Sequence, residues 1–545
     1  MNSNSVQVPG ALPAGHPIPD SVHAVSVSLP RLADVIAYEK QNPEMLAKLN
    51  TGYPRFVQHY YVRRFLDQVR SPDVSNQAVA LLPDERFVDA FADFLTIDDE
   101  SGVHISSDQV NASISVQSLK FPTLAPKADA VPAFAGGLKT GQTDFKASQL
   151  SGFDRNRMLE STRPCLLYYP DDPVWMNRIR RFAQHSGFML FSRVAEDFLL
   201  AHGQLGSIQE ESYAIGAPPD RKQATTIDNN VAVDLSGMPA DAAQRIAERY
   251  VRERVAAITG DPVQREHVSL TSCGMNAFYA AFRAIQELQK PRGRGIWLQL
   301  GWLYLDTIAL LQTCTGAASN YRYFADVHNL EEMVAYIKQN GRQIAGAVVE
   351  MPTNPMLHCP ALDRIAELAR EYEFAIIADP SLATPYNVNV FPCADVMVNS
   401  LTKYAAAEGD VIMGTVVINP DSPFASRMHA HMNAHLSPPY ARDVFRMAHE
   451  IRNYESVVTK INANAVALAD WFQNQAGVSA VHSPLAAGQR ENYTRLARRS
   501  DAPGGVLTIE LNRDLARFYD RLPFAKGPSF GLDFTLVCPF MYLAH

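Results

Sequence analysis

The sequence predicts an α/β fold with a mostly parallel sheet covered by helices on both faces, and a smaller α+β domain toward the C-terminal end. From about residue 290, short apolar runs alternate with helical patterns. The runs are IWLQL, AGAVVEMP, FAIIADP, ADVMVNS and VIMGTVVI. Strands this apolar are typically buried on both faces, and helices between them return the chain for parallel pairing.

The helical segments follow from apolar residues spaced three or four positions apart. This spacing is present in DAAQRIAERYVRERVAAI and in ALDRIAELAREYE, and GMNAFYAAFRAIQELQK is predicted to be a helix opened by glycine. A further helix is predicted at 305–313. From about residue 440, MAHEIRNYESVVTKINANAVALADWF predicts one long helix leading into the smaller domain. Residues 1 to about 30 are rich in Pro, Ser and Gly and are predicted to form a flexible arm.

Composition excludes several classes of protein. The 545 residues are 47% hydrophobic and 19% charged, with a formal net charge of −8, so no electrostatic attraction to nucleic acid or to an anionic membrane is expected. The six cysteines lack metal-like spacing and are expected to be reduced thiols. The N-terminus lacks the basic start and apolar stretch of a signal peptide, and no segment is apolar enough for a membrane span. A cytoplasmic protein of two or more domains is expected.

The candidate chemistry lies where the predicted strands end. In a parallel sheet, ligands bind outside the carboxyl ends of the strands, which here are Glu350–Pro355, Asp379 and Ser400–Lys403. A carboxylate that ends the apolar run FAIIAD needs a cationic partner. The turn TSCGMNA opens a helix at Gly274, whose N-terminus favours a phosphate. A lysine, a buried acid and a phosphate-binding turn are together what pyridoxal phosphate needs.

The order of four motifs resembles a known family. SCGM, EMPTNP, DPSLATPY and SLTKYAAAEGDVIMG occur as in the Cys/Met-metabolism enzymes that depend on pyridoxal phosphate, a family with the aspartate-aminotransferase fold, called fold type I. The family includes the cystathionine γ-synthases and lyases of trans-sulfuration. The N-terminal HAVSVSLPRLADVIAYEKQNPEMLAKLNTGYPRF, the segment GWLYLDT and the terminal GPSFGLDFTLVCPFMYLAH are more similar to the long, fungal-type cystathionine γ-synthases.

The resemblance implies roles for individual residues. Lys403 would bind the cofactor covalently as a Schiff base, and Asp379 would pair with the ring nitrogen. Asn354 would hydrogen-bond the phenolic oxygen of the ring. The phosphate would be bound by the residues Gly274, Met275, Ser400 and Thr402. Two residues of GYPRF, Tyr53 and Arg55, match a motif that reaches the phosphate of a neighbouring subunit, so a homodimer or homotetramer with shared active sites is expected.

The sequence departs from the family pattern in three places. Where the family has a tyrosine stacked on the cofactor, this chain has GWLYLDT, in which either Trp302 or Tyr304 could take that role. The interval between Tyr-x-Arg and SCGM is much longer than in short members. Ser529 matches a serine that helps bind the substrate carboxylate, but the arginine motif expected to follow is absent before His545.

These observations predict four segments. Residues 1–65 are predicted to be an N-terminal arm with the Tyr-x-Arg motif, and residues 66–250 an insertion of unknown role. Residues 251–420 are predicted to be a cofactor-binding large domain, and residues 421–545 a small C-terminal domain that looks incomplete.

The resemblance implies replacement at the γ carbon of an activated homoserine through a β,γ-unsaturated intermediate, with a thiol such as cysteine as nucleophile. Elimination by a lyase, or use of another donor such as S-adenosylmethionine, remains an alternative, and so does a non-catalytic homologue. The expected partners are small amino-acid substrates, with no nucleic acid, membrane or metal.

Two other motifs are compatible with an acylating serine enzyme and with a zinc site, but each lacks part of the expected pattern. Ser400 and Lys403 also spell the S-x-x-K of acylating serine enzymes, but the KTG at 139–141 precedes it rather than follows it, and Ser400 is predicted to end a strand instead of opening a helix. His431 and His435 have the spacing of a zinc pair but lack the glutamate of H-E-x-x-H, which favours an ordinary helix face.

Overall fold

The computed structural model describes residues 12–52, 58–70, 77–97, 103–119, 162–206 and 240–540. Its α-helices are Leu32–Glu39, Pro43–Leu46, Tyr60–Val69, Val88–Leu95, Ser107–Ser113, Pro173–Ser186, Ser192–Ala201, Ala240–Thr259, Gly274–Gln289, Leu305–Cys314, Leu330–Asn340, Leu362–Tyr372, Ala425–Asn433, Ala441–Glu450, Tyr454–Gln473, Arg490–Thr494 and Leu515–Arg521. Among these described residues, no helix is both long and apolar enough to cross a membrane.

The molecule is organised around a seven-stranded sheet, called here the central sheet. Its strands lie in the spatial order Val268–Thr271, Gly414–Ile418, Val396–Ser400, Ala375–Asp379, Ile344–Glu350, Ile296–Leu300 and Tyr321–Phe324. All neighbours pair in parallel except Gly414–Ile418, which is antiparallel to both of its neighbours. The predicted mostly parallel α/β sheet is therefore confirmed.

The core lies on both faces of the central sheet, as predicted. Trp297 packs with the helix Gly274–Gln289 on one face, whereas the next residue, Leu298, packs with the helix Leu362–Tyr372 on the other. Each large apolar side chain buried in this way contributes about 1.5–3 kcal/mol through removal from water. The sheet is thus a rigid platform whose strand ends can hold side chains at fixed positions.

The described part of the inserted region has its own sheet. It is antiparallel and three-stranded, with the strands Gln77–Leu82, Cys165–Pro170 and Ser115–Ser118 in that spatial order. The helix Pro173–Ser186 packs against the helix Gly274–Gln289 of the large domain. The ring of Phe188 lies edge-to-face on Tyr279 with a centroid distance of 5.4 Å.

The segment boundary predicted at 250 falls inside the helix Ala240–Thr259. Ala247, before that position, and Val251 and Val255, after it, all belong to the same buried cluster. The continuous apolar face shows why the helix does not end there.

Two predictions, about the long helix after residue 440 and about the N-terminal arm, were wrong. The region read as one long helix is two helices, Ala441–Glu450 and Tyr454–Gln473, joined by the 3-10 turn Ile451–Asn453. No proline or glycine marks the break, so the sequence pattern looked continuous. Residues 12–30, expected to be part of a flexible arm, are packed, and the strand Ser26–Val27 is buried.

The remaining short strands lie outside the central sheet and the inserted region. They are Pro17–Ile18, Ser26–Val27, Val478–His482, Thr508–Leu511, Ala525–Lys526 and Leu536–Val537. They form three two-stranded pairs.

Candidate active site

Three adjacent strands of the central sheet end in polar side chains at the same edge. Glu350 and Asp379 are register partners on neighbouring parallel strands. Ser400 ends the next strand, and its main-chain N–H donates to Ser381 Oγ at 2.9 Å. Ser381 in turn donates its N–H to Asp379 Oδ1 at 2.8 Å. Ser381, to which the sequence assigned no role, therefore links the strand that ends at Asp379 to the strand that ends at Ser400.

Lys403 is enclosed beside this edge, with only 6% of the residue exposed. Its Nζ donates a hydrogen bond to Ser529 Oγ at 2.7 Å and lies 4.8 Å from the centroid of the Phe530 ring. Burial lowers the pKa of Lys403 from 10.5 to about 7. Near neutral pH, Lys403 is therefore a neutral amine in a large fraction of the molecules.

The segment after Lys403 is held by the C-terminal part of the chain. Tyr404 has a left-handed backbone with φ of 61°, and its N–H donates to the Gly531 carbonyl at 2.9 Å. A Cβ on Gly531, whose own φ is 74°, would lie 2.8 Å from the Tyr404 nitrogen, so the close approach requires glycine. This contact brings Ser529 and Phe530 to the lysine.

Glu350 and Asp379 form a buried carboxyl pair. Burial raises the pKa of Asp379 to about 6, although hydrogen bonds from Ser381 act against it. Burial, together with the charge of Asp379, raises the pKa of Glu350 well above its usual range. Because two adjacent carboxylates are costly to ionise together, the site favours a nearby cation such as a protonated pyridine ring.

Glu350 also holds two loops at this edge. It accepts hydrogen bonds from the main-chain N–H groups of Tyr304 and Asn354. Glu350 lies at a predicted strand end but had no individual role predicted for it, although it ends an apolar run just as Asp379 does.

Gly274 and Ser400 face each other at the start of the helix Gly274–Gln289. A Cβ on Gly274 would lie 3.0 Å from Ser400 Cβ. The hydroxyl of Ser400 is buried and has no hydrogen-bond partner within the described ranges. Gly274 and Met275 are partly exposed, while Cys273 before them and Asn276 after them are buried. An accessible helix N-terminus beside an unsatisfied hydroxyl fits a phosphate group.

The remaining residues predicted to bind the cofactor have no role that the structure tests. Thr402 uses its hydroxyl on the main chain of Met413, donating to the carbonyl at 3.3 Å and accepting from the N–H at 3.2 Å, so its phosphate role stays a prediction. Trp302 and Tyr304 are both partly buried, and the stacking role stays a prediction for either residue. Tyr53 and Arg55 lie outside the described residues.

The alternative motifs do not form other sites. His431 Nδ1 and His435 Nε2 both contact the carboxylate of Glu287, at 2.9 and 2.6 Å. In the described ranges, no group of three or more His, Cys, Asp or Glu side chains could hold a metal ion. Ser400 ends a strand and does not open a helix, which disagrees with the S-x-x-K interpretation. The KTG at 139–141 lies outside the described residues.

A buried lysine, a carboxyl pair and a helix N-terminus at the carboxyl ends of parallel strands define the class: a pyridoxal-phosphate enzyme of fold type I. Comparison with protein families agrees, since residues 244–532 match the family described as Cys/Met metabolism PLP-dependent enzyme. The chain belongs to this family, and its cofactor is pyridoxal phosphate. The resemblance found from the four motifs is confirmed.

Two relatives are similar to this protein over almost the whole chain. The L-2-amino-4-chloropent-4-enoate dechlorinase/desaturase of Streptantibioticus cattleyicolor is 35% identical, covering 97% of this chain and 89% of that protein. The cystathionine gamma-synthase of Neurospora crassa is 26% identical, covering 97% of this chain and 92% of the relative. Among solved structures, cystathionine gamma synthase from Xanthomonas oryzae pv. oryzae has a TM-score of 0.46 and 20% identity, covering 55% of this chain and 76% of its own.

Proposed function

We propose that the protein removes a leaving group from the γ carbon of an amino acid and replaces it with a thiol nucleophile, as a cystathionine γ-synthase does. The observation that carries the proposal is the enclosed Lys403 amine, which donates to Ser529 and follows the strand that lies next to the one ending at Asp379. The two relatives support chemistry at the γ carbon. One is named for cystathionine γ synthesis, and the other for an amino acid that carries chlorine on C4, which is its γ carbon.

In this proposal the cofactor is held by residues from several strand ends. Lys403 would bind it covalently and Asp379 would pair with the ring nitrogen. Asn354 would donate to the phenolic oxygen, and Trp302 or Tyr304 would stack on the ring. The phosphate would be bound by Gly274, Met275, Ser400 and Thr402, with Tyr53 and Arg55 of a neighbouring subunit. When bound, pyridoxal phosphate supplies a sink for the electrons released at the α carbon.

Lys403 is the proposed proton carrier. A general base works best when its pKa lies near the working pH, and the pKa of Lys403 is lowered by burial to about 7. Its Nζ can therefore accept the α proton of an amino acid and then a β proton, so that the electrons left at the β carbon expel the γ group. After the thiol adds at the γ carbon, the same amine can return a proton to the β carbon. Ser529, now 2.7 Å from that nitrogen, would be released to help bind the substrate carboxylate.

A second candidate is elimination without a replacing nucleophile. It is favoured by the 35% identity to a protein named a dechlorinase and desaturase. Both reactions begin with loss of the α proton and of the γ leaving group. The two reactions differ in whether a thiol then adds at the γ carbon. The residues proposed to hold the cofactor, and Lys403 as proton carrier, are compatible with both reactions.

The experiment compares wild type with Lys403→Ala, using Lys338→Ala, an exposed lysine on the helix Leu330–Asn340, as the control. Each purified protein is incubated with pyridoxal phosphate and desalted. We expect wild type and Lys338→Ala to keep the visible absorbance of lysine-bound cofactor, and Lys403→Ala to lose it. O-acyl-homoserines and 4-chloro amino acids are then supplied with and without cysteine. A thioether product supports replacement, and a keto acid or an unsaturated amino acid formed with release of the leaving group supports elimination. A cofactor that wild type does not retain would overturn the proposal.

A further inference from the structure

The buried amide of Asn276 joins three parts of the chain beside Gly274 and Met275. Its Nδ2 donates to the Ser186 carbonyl of the inserted region and to the His435 carbonyl, both at 3.1 Å. Its Oδ1 accepts from the Ser437 N–H at 2.7 Å. Asn276 has no measurable exposure, so each of these bonds is formed away from water.

A further hydrogen bond holds the residue that comes just before the N-terminus of the helix Gly274–Gln289. Ser437 also accepts, at its carbonyl, a hydrogen bond of 2.8 Å from the Ser272 N–H. Ser437 thus contacts the chain on both sides of the interval from Cys273 to Met275. The residues that flank this interval, Ser272 and Asn276, are therefore both held in place by hydrogen bonds to Ser437.

The backbone of the inserted region packs closely against the start of the helix Gly274–Gln289. Gly187 has φ of 72°, and a Cβ there would lie 2.6 Å from both the Asn276 nitrogen and Cys273 Sγ. The thiol of Cys273 contacts the Gly187 carbonyl at 3.8 Å. Only glycine permits this close packing, so the backbone of the inserted region at Gly187 lies directly against the first turn of the helix.

We propose that Asn276 is a positioning residue through which the inserted region holds the phosphate-binding turn of the cofactor site. The inference rests on the proposed cofactor site and deepens it. Asn276 would not itself contact the phosphate. It fixes the main-chain N–H groups of Gly274 and Met275, whose direction decides how well they donate to an anion. The inserted region, whose role the sequence did not indicate, would then act on cofactor affinity.

The test compares two ligands that differ only in the phosphate. Dissociation constants for pyridoxal phosphate and for pyridoxal are measured by absorbance and fluorescence in wild type and Asn276→Ala. In Asn276→Ala the N–H groups of Gly274 and Met275 lose their fixed direction, so we expect affinity for pyridoxal phosphate to fall about tenfold or more. Affinity for pyridoxal, which has no phosphate to position, should change by less than about twofold.

The matched control is Gln289→Ala, at the far end of the same helix. Gln289 is equally buried, and its Nε2 donates to the Glu373 carbonyl at 2.9 Å. A purely structural role predicts that both variants lower the unfolding temperature of the apoprotein and leave the ratio of the two affinities unchanged. We expect that ratio to change only in Asn276→Ala.

A second uncharged variant keeps the proposal testable if Asn276→Ala does not fold. Asn276→Ser keeps a hydroxyl but is too short to bond all three partners of the amide, and it adds no charge that could repel a phosphate. It should show the same selective loss of pyridoxal phosphate binding. Equal affinity of wild type and folded Asn276 variants for pyridoxal phosphate would overturn the inference. Failure of wild type itself to bind the cofactor would instead overturn the proposed function.

Discussion

A lysine at the end of a sheet would normally be charged, and here the surroundings act against that charge. Ser529 and Phe530 cover Lys403, and burial is the cause of its lowered pKa. The neutral amine is the form that can attack a carbonyl or accept a proton. Its chemistry therefore depends on the segment that encloses it as much as on the lysine.

This lowered pKa predicts how fast the apoprotein captures its cofactor at different pH values. Above a pKa of about 7 the amine of Lys403 is neutral, so the rate of covalent binding should rise with pH through about 7 and then level off. The rate is measured by stopped-flow absorbance after mixing apoprotein with pyridoxal phosphate. A rate that stays low until the pH approaches the ordinary lysine value of 10.5 would contradict the enclosed, neutral amine.

At the scale of elements, two helices meet through buried charges. Arg442, on the helix Ala441–Glu450, contacts Glu196 at 2.8 Å and Asp197 at 2.7 Å on the helix Ser192–Ala201. The exposed fraction of each of these three side chains is 1% or less. The inserted region is thus joined to the chain beyond the central sheet by ion pairs removed from water.

Removing one partner of this cluster should be costly. Arg442→Ala leaves two buried carboxylates without their arginine, and we expect the free energy of unfolding to fall by about 3–5 kcal/mol. The control is Arg265→Ala, which breaks an exposed ion pair with Glu253 and should cost about 0–1 kcal/mol. Urea unfolding of both variants gives the comparison, and similar losses would contradict the account of Arg442.

At the scale of the whole molecule, both ends of the described chain border the loop after Lys403. The Val25 N–H donates to the Gly409 carbonyl at 2.9 Å, and the Tyr404 N–H to the Gly531 carbonyl. The N-terminal segment therefore reaches the same side of the molecule as the lysine loop. Tyr53 and Arg55 follow that segment in the sequence, and their proposed partner is the phosphate site of a neighbouring subunit.

Shared active sites would be revealed by mixing two inactive variants. If Arg55 acts on the neighbouring subunit, a hybrid of Lys403→Ala and Arg55→Ala chains contains one intact site and one doubly altered site. Random exchange should then restore roughly a quarter of wild-type activity, measured on the co-refolded or co-expressed mixture. A mixture of Lys403→Ala with Asp379→Ala is the control and should stay inactive, because both residues belong to one chain's site. Absence of recovery with Arg55→Ala would contradict sharing.

Much of the fold was predictable because its pattern is local. The apolar runs that became the strands Ile296–Leu300, Ile344–Glu350 and Ala375–Asp379 are long and uninterrupted, as strands buried on both faces must be. The edge strand Tyr321–Phe324 was missed because it is short and mostly half-exposed. The break at Ile451–Asn453 was missed because no residue there disfavours a helix.

The sequence by itself determined the family, the cofactor and the candidate lysine, since these depend on motifs whose residues are neighbours in the chain. Only the tertiary structure decided which distant groups surround Lys403 and Gly274. Ser529 meets Lys403 across more than a hundred residues, and Ser186 meets Asn276 across ninety. Such contacts arise from packing between segments, and no local pattern of side chains records them. The carboxyl pair of Glu350 and Asp379 likewise exists because two strands became neighbours in register.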